Sequence, residues 1–452
     1  MPLIKTTTDV GAFPPSAMPS AGWVVPQNLR GTLRATPPAH RVSSRVLGAA
    51  YPFLAESGTA LTGPYIGENV LSRSPHSYDP WDAYAAGHVK SHSVAIIGVK
   101  GSGKSMLAKS WSTRLIRCGR RVAVPHDPNG EWVKVAEYVG GKSVRIGPGM
   151  NAKLNLLDVG PAITGWSTQD WRHHLLQIRR ATMRTVIGLL EPDRSLVAEE
   201  HTVLDDALEH LDDNPHVTVV DLHQVLTQIA DQGGDIAPHA ARLAHVLRRI
   251  VKGDLAGMFD GASTVAFDTT APMMVVDTSA MKKTSAVAQA LARLSTTNWI
   301  RQATTGDNRT QRVIVHEEAA VELLNMVHGG EGLVHQVEGE KVARHDGLSN
   351  WYLLHRIADL KALGDDGSAV RTQALGLLAD CETRVTYAQH AAEIPDTALH
   401  LGWNDTQADL VRKLKKGTGL WQIGERTALV KNICTRGELD VFRTDTHGGL
   451  RS

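Results

Sequence analysis

Gly98-Val-Lys-Gly-Ser-Gly-Lys-Ser105 fits the pattern G-x-x-x-x-G-K-[ST], a glycine loop that turns backbone N–H groups inward on phosphates. The flanks supply the context that the pattern requires. Before it, Ser93-Val-Ala-Ile-Ile97 is apolar and β-branched, as a buried parallel strand should be. After it, Met106 to Arg117 contains no Gly or Pro and reads as a helix whose N-terminus adds its positive dipole end. Gly98, Val99, Lys100, Gly101, Ser102, Gly103, Lys104, Ser105 and Met106 are therefore the expected nucleotide contacts. Lys104 would reach the β- and γ-phosphates, and the Ser105 hydroxyl would ligate Mg²⁺. The chain is expected to bind a nucleoside triphosphate.

Composition limits the partners. The chain has 452 residues, 42% of them hydrophobic, and a net charge of +1 from 48 basic and 47 acidic side chains. That balance gives no whole-chain footprint for nucleic acid, so any DNA path must be local. Cys118, Cys381 and Cys434 are far apart, with no disulfide or metal spacing, which suits a reducing cytoplasm. No apolar run approaches the ~18 residues of a membrane span, and no signal-peptide core is visible. A cytoplasmic protein, peripheral to the membrane through a partner, is the expectation.

Read in order, residues 1–45 form a flexible Pro/Ser-rich lead-in (FPPSAMPSAGW, RATPPAH) without periodicity. Residues 46–165 hold the first part of a core with an N-terminal elaboration, including a strand Arg121–Val124. Residues 166–260 read as an all-α insertion, opening with a capping box at Ser167–Asp170 and continuing with apolar faces at helical spacing. Residues 261–452 complete the core. They carry strands near Thr264–Phe267, Met273–Val276, Arg312–Val315, Trp351–Leu354 and Thr383–Ala388, a long helix near 284–303, and a C-terminal hairpin (419–424 with 426–433). Apolar strands alternating with helices argue for a mainly parallel sheet covered on both faces.

A phosphate loop needs a carboxylate cluster at the end of a neighbouring strand. Val313-Ile-Val-His-Glu-Glu318 supplies it: Glu317 would bind Mg²⁺ through water, and Glu318 would act as general base. Its long separation from Ser105, filled by the helical insertion, fits small GTPases and simple kinases poorly. Asp127 and Glu131 follow the second strand and should face the same edge, where one could touch the metal–water shell or a coupling contact. His126, His316 and His355 each end an apolar strand; hydrogen-bonded polar sensors are favoured over a shared metal site. Arg172, Arg179, Arg180 and Arg184 lie on one expected helix, and Arg242, Arg248, Arg249 and Lys252 on another. For both, a solvated helix face is favoured over a DNA channel or a surface for an acidic partner.

Several further segments carry a resemblance. DPNGEW (127–132), NAKLNLLD (151–158), GDLAGMFDG (253–261), VIVHEEAA (313–320), LLHRIADL (353–360), LLADCETRV (377–385), KKGTGLWQIGER (415–426) and Thr444-Asp445 occur in the order of one family. In these the chain resembles the ATPases of conjugative type IV secretion systems, the VirB/TraC/TrwK-type energisers of the HerA/FtsK superfamily, from about Ala49 onward. The family's Asp-Glu pair reads Glu317-Glu318 here, and its polar sensor reads His355. The resemblance implies a RecA-like P-loop NTPase core, α/β in class, that binds ATP and Mg and works as a ring, expected to be a hexamer. An arginine from the neighbouring subunit would stabilise transition-state charge, with Arg344, Arg384 and Arg426 as candidates. It further implies a motor serving a membrane-embedded secretion or conjugation complex, powering DNA or protein transfer or pilus assembly. Two alternatives remain: a translocase of the same superfamily acting directly on DNA, and a nucleotide-gated scaffold with weak hydrolysis.

Overall fold

The central strands are continuous apolar runs because both of their faces are covered. β3 (Val94–Ile97), β7 (Arg312–His316) and β8 (Leu348–Leu354) are buried at every position, and β4 (Arg121–Asp127) at all but its first. The computed structural model describes residues 61–158, 165–211, 216–264, 268–304, 310–319, 347–361 and 369–443. The chain divides into two units, Met1–Ala55 and Glu56–Ser452, and everything described belongs to the second. The 1–45 lead-in, Arg344, Thr444-Asp445 and residues 265–267 of one expected strand lie outside the described residues.

Among the described residues one sheet of eleven strands organises the unit, in the order β2-β1-β11-β10-β9-β3-β8-β7-β4-β6-β5. The run from β9 (Thr383–Thr386) through β3, β8, β7, β4 and β6 (Met273–Asp277) to β5 (Lys142–Arg145) is parallel. Beyond β9 the sheet continues antiparallel through β10 (Thr418–Ile423), β11 (Arg426–Asn432), β1 (Tyr65–Asn69) and β2 (Pro75–Ser77). The expected mainly parallel RecA-like sheet and C-terminal hairpin are both present. The weakly patterned strands β1, β2 and β5 had no clear apolar alternation and were not anticipated. Register aligns Ile97 with Leu354 on one side and with Thr386 on the other, so the parallel strands end together along one edge.

The glycine loop leaves that edge and enters α2 (Lys104–Arg117), which follows the short α1 (Pro80–Ala85) in the chain. Trp111 of α2 is fully buried and packs, with tilted rings, against Trp351 of β8, centroids 4.1 Å apart, and against Trp421 of β10 at 5.3 Å. Its indole N–H donates to the Tyr78 carbonyl at 3.1 Å. Aromatic residues are only 5% of the chain, yet several of them gather here, where they fasten the loop's helix to the sheet.

Between β5 and β6 the described residues form four helices: Thr168–Leu190, Ala198–His210, Val219–Gln232 and Ala237–Lys252. The Ser167 hydroxyl caps the first by accepting from the Asp170 N–H at 3.1 Å. Their apolar faces share one core with Ala123, Met274, Val276 and Ile314 of the sheet. Of the basic residues expected on exposed faces, Arg180, Arg184 and Arg242 join helix to helix instead, and Arg249 pairs with the turn after its own helix. Arg180 and Arg184 pair with Asp205, at 3.4 and 3.2 Å, Arg242 with Glu200 at 2.5 Å, and Arg249 with Asp254 at 3.1 Å. Arg179 is buried, whereas Arg172, Arg248 and Lys252 are exposed.

Two buried histidines make the sheet's flank sensitive to acid. His76 lies 4.8 Å from Trp421, and His92 lies 4.6 Å from Tyr84. Burial holds both imidazoles well below their ordinary range, at about 4. The unfolded chain therefore takes up these protons first, and the stability they leave intact above about pH 6.5 is lost as pH falls toward 4. Each histidine should account for about 2 kcal/mol of the loss between pH 7 and 5. Urea unfolding of His76→Phe and His92→Phe should show a shallower decline than the parent; an unchanged decline would remove both from the account.

Candidate nucleotide site

Glycine is required in the loop by conformation and by space. Gly101 and Gly103 have φ of +79° and +119°, a region that L side chains avoid. A Cβ on Gly103 would sit 3.2 Å from the Gly417 Cα. The loop is clamped by backbone on both sides: the Val99 N–H donates to the Ala388 carbonyl at 3.0 Å, and the Gly417 N–H to the Ser102 carbonyl at 2.9 Å. Gly103 is the N-cap of α2 and offers no side-chain acceptor, so the first-turn N–H groups are left for an anion.

Lys104 is 6% exposed. Its ammonium donates to the Gly98 carbonyl and, at 3.2 Å, to the Val99 carbonyl, and lies 3.2 Å from His355 Nδ1. Burial lowers its pKa to about 8, against the pull of Glu317. The cation is held by neutral dipoles of its own loop, close to where phosphate oxygens would compete for it.

β7 ends at His316, and this decides how two adjacent acids can serve one site. In a continuing strand they would face opposite sides. Here the strand has stopped, and Glu318 adopts a left-handed φ of +53°, so both carboxylates line the same pocket. Trp132 Nε1–H donates to Glu317 Oε1 at 2.9 Å. Burial pushes the Glu317 carboxyl up to about 7, opposed by that bond and by Lys109. Glu318 is partly exposed, with Arg293 Nη2 at 3.8 Å.

The pocket, about 310 Å³, is lined on the loop side by Lys100, Gly101, Gly103, Lys104, Ser105 and Met106. Gly98, Val99 and Ser102 lie behind that lining. His355, exposed just past β8, joins it, as does Glu131. Asp127 does not: its buried carboxylate accepts from the N–H groups of Asn129, Glu131 and Trp132 at 3.3, 3.1 and 2.7 Å, shaping the turn. Asn129, Lys416, Phe442 and Arg443 also line the pocket, and sequence reasoning missed them as site residues. The clue for Lys416 was its place beside a glycine in KKGTG; Phe442 and Arg443, at the end of helix Arg436–Phe442, had none.

The three strand-end histidines do not converge. His126 Nδ1 bonds the Thr278 hydroxyl at 2.8 Å, and His316 Nε2 bonds Asn350 Oδ1 at 3.1 Å while its ring stacks on Tyr352. Both are buried within the sheet, and only His355 reaches the pocket. Arg384 donates to the carbonyls of Cys381 and Ala379 at 2.8 and 3.0 Å. Arg426 is exposed at the far hairpin turn. Neither lines the pocket of its own chain. Among the described residues no group of three or more His, Cys, Asp or Glu side chains could hold a metal. Ser105 and Glu317 would suit a magnesium ion carried in by phosphates, which keeps most of its water and needs few protein oxygens.

The architecture is similar to solved structures. VirB4 of Thermoanaerobacter pseudethanolicus superposes with a TM-score of 0.70 at 20% identity, covering 85% of this chain and all (100%) of that one. The chain has the RecA-like fold of VirB4. The plasmid coupling protein TrwB, in complex with the non-hydrolysable GTP analogue GDPNP, gives a TM-score of 0.51 at 15% identity, over 87% of this chain and 93% of that chain. TrwB in complex with ADP and Mg²⁺ gives 0.51 at 14%, with the same coverage. No protein-family model and no curated relative matches the chain.

The clamp on the loop has a measurable consequence. Gly103→Ala adds left-handed strain of about 1–2 kcal/mol and presses on Gly417, so nucleotide affinity should fall about tenfold or more. A fluorescent-nucleotide titration checks it; parental affinity would show that the loop is free to move away from Gly417.

Proposed function

We propose that this chain is an ATP-hydrolysing motor of a conjugative or type IV secretion apparatus. The observation that supports it is the gathering of Lys104, Ser105, Glu317 and Glu318 in one pocket at the strand ends of this sheet. Lys104 would exchange its loop carbonyls for the β- and γ-phosphates. The α2 N-terminus and loop amides would hold the phosphate chain, and Ser105 and Glu317 the magnesium shell. Bound magnesium would supply charge neutralisation at the phosphates. Glu318 would accept the proton of the attacking water. His355, within reach of Lys104, suits a sensor of the γ-phosphate. The neighbouring subunit of a ring, a hexamer in this proposal, would supply an arginine such as Arg344, Arg384 or Arg426.

TrwB is a bacterial conjugative coupling protein, and the same fold suits the same class of work here. Among the described residues no helix is long and apolar enough to cross a membrane. In this proposal the motor works on the cytoplasmic side, attached through a membrane-embedded partner. The ion-paired arginines of the helical region favour a protein partner over direct DNA contact, which is the second reading.

Lys104→Ala should abolish most ATP binding. Glu318→Gln should bind ATP and not turn it over. ATPase rates on size-fractionated protein, with and without DNA, test the rest. Turnover in an oligomeric fraction with no response to DNA is expected. Salt-sensitive stimulation by DNA would favour the translocase, and binding without turnover in every fraction would leave a nucleotide-gated scaffold.

A further inference from the structure

The turn Asp127–Trp132 reaches further into the site than its own lining residues suggest. Trp132 is fully buried and fixed from several directions. Its backbone N–H is held by Asp127 Oδ2 at 2.7 Å. Lys109 Nζ, itself buried, lies 5.9 Å from the centre of the indole ring, within cation–π range. Lys109 is in turn paired with Glu131 at 2.9 Å, so the turn and the glycine-loop helix form one block. From that block the indole N–H donates to Glu317 Oε1 at 2.9 Å.

Glu317 sits just past a strand end, on a side chain with three rotatable bonds. Indole N–H is a donor only and cannot rotate away from a ring packed this tightly. Bonding one carboxylate oxygen fixes the plane of the group and leaves Oε2 available to the pocket. A hydrogen bond to the carboxylate also favours its charged form.

We propose that Trp132 is the positioning residue for Glu317, ordering its carboxylate for the magnesium shell and linking that order to the glycine-loop helix through Lys109 and Glu131. The inference rests on the reading of Glu317 given above. A residue of this kind behind a metal-shell group typically changes metal affinity by tenfold or more.

The test is the magnesium dependence of binding of a fluorescent, non-hydrolysable ATP analogue. Trp132→Phe keeps an aromatic ring and removes the donor. It should raise the half-saturating Mg²⁺ concentration about tenfold while leaving affinity for the analogue in EDTA unchanged. In a Glu317→Gln background the same substitution should add nothing. If Trp132→Phe does not fold, benzothienylalanine at position 132 keeps the ring shape without the N–H and should give the same shift. A parental magnesium requirement in either replacement overturns the role of Trp132, as does an equal shift in the Glu317→Gln background. A parental requirement in Glu317→Gln alone overturns the magnesium reading of Glu317 first, and the positioning role with it.

Discussion

The packing of Trp111 against Trp351 and Trp421 is the contact on which the rest of the site depends. A glycine loop has little structure of its own; its shape is set by where its helix is held relative to the strands. Trp111 sits two turns into that helix, fully buried, and fixes α2 against both the parallel β8 and the antiparallel β10. Because β8 runs on into His355, and β10 begins next to Gly417, the same packing brings the loop, the His355 side chain and the C-terminal hairpin to one point. Burial of large aromatic rings contributes strongly to stability, and here it also sets position.

The buried groups of the site are held in unfavourable protonation conditions, and a ligand would relieve them. Burial lowers the Lys104 ammonium to about 8 and raises the Glu317 carboxyl to about 7. Each shift reflects a charge lacking enough counter-charge. Triphosphate would supply it to Lys104, and a divalent cation to Glu317. Strain is stored here too, in the left-handed backbone of Glu318, a conformation that persists only where the surroundings impose it.

Much of this was legible in the sequence because it depends on short-range signals. GVKGSGKS, the apolar strands and the Glu317-Glu318 strand end each carry their chemistry within a few residues. The antiparallel side of the sheet was legible only at its C-terminal hairpin. β1 pairs with β11 across most of the chain, and nothing local announces such a pairing. Asp127 looked like a site acid, yet its carboxylate is taken up by three backbone N–H groups of its own turn. Of the helical arginines read as a solvent face, Arg172 and Arg248 are exposed, whereas Arg180, Arg184 and Arg242 are held by Asp205 and Glu200 of a neighbouring helix. Phe442 and Arg443 reach the pocket through tertiary packing alone.

The central claim is that one triphosphate site is assembled at the strand ends of this sheet from the glycine loop and the two glutamates. A structure of the protein with magnesium and a non-hydrolysable ATP analogue tests it most directly. The account predicts phosphate oxygens on Lys104 Nζ in place of the Gly98 and Val99 carbonyls, with the metal between Ser105 and the Glu317 side of the pocket. An analogue bound elsewhere, with Lys104 still on its own loop carbonyls, would contradict it.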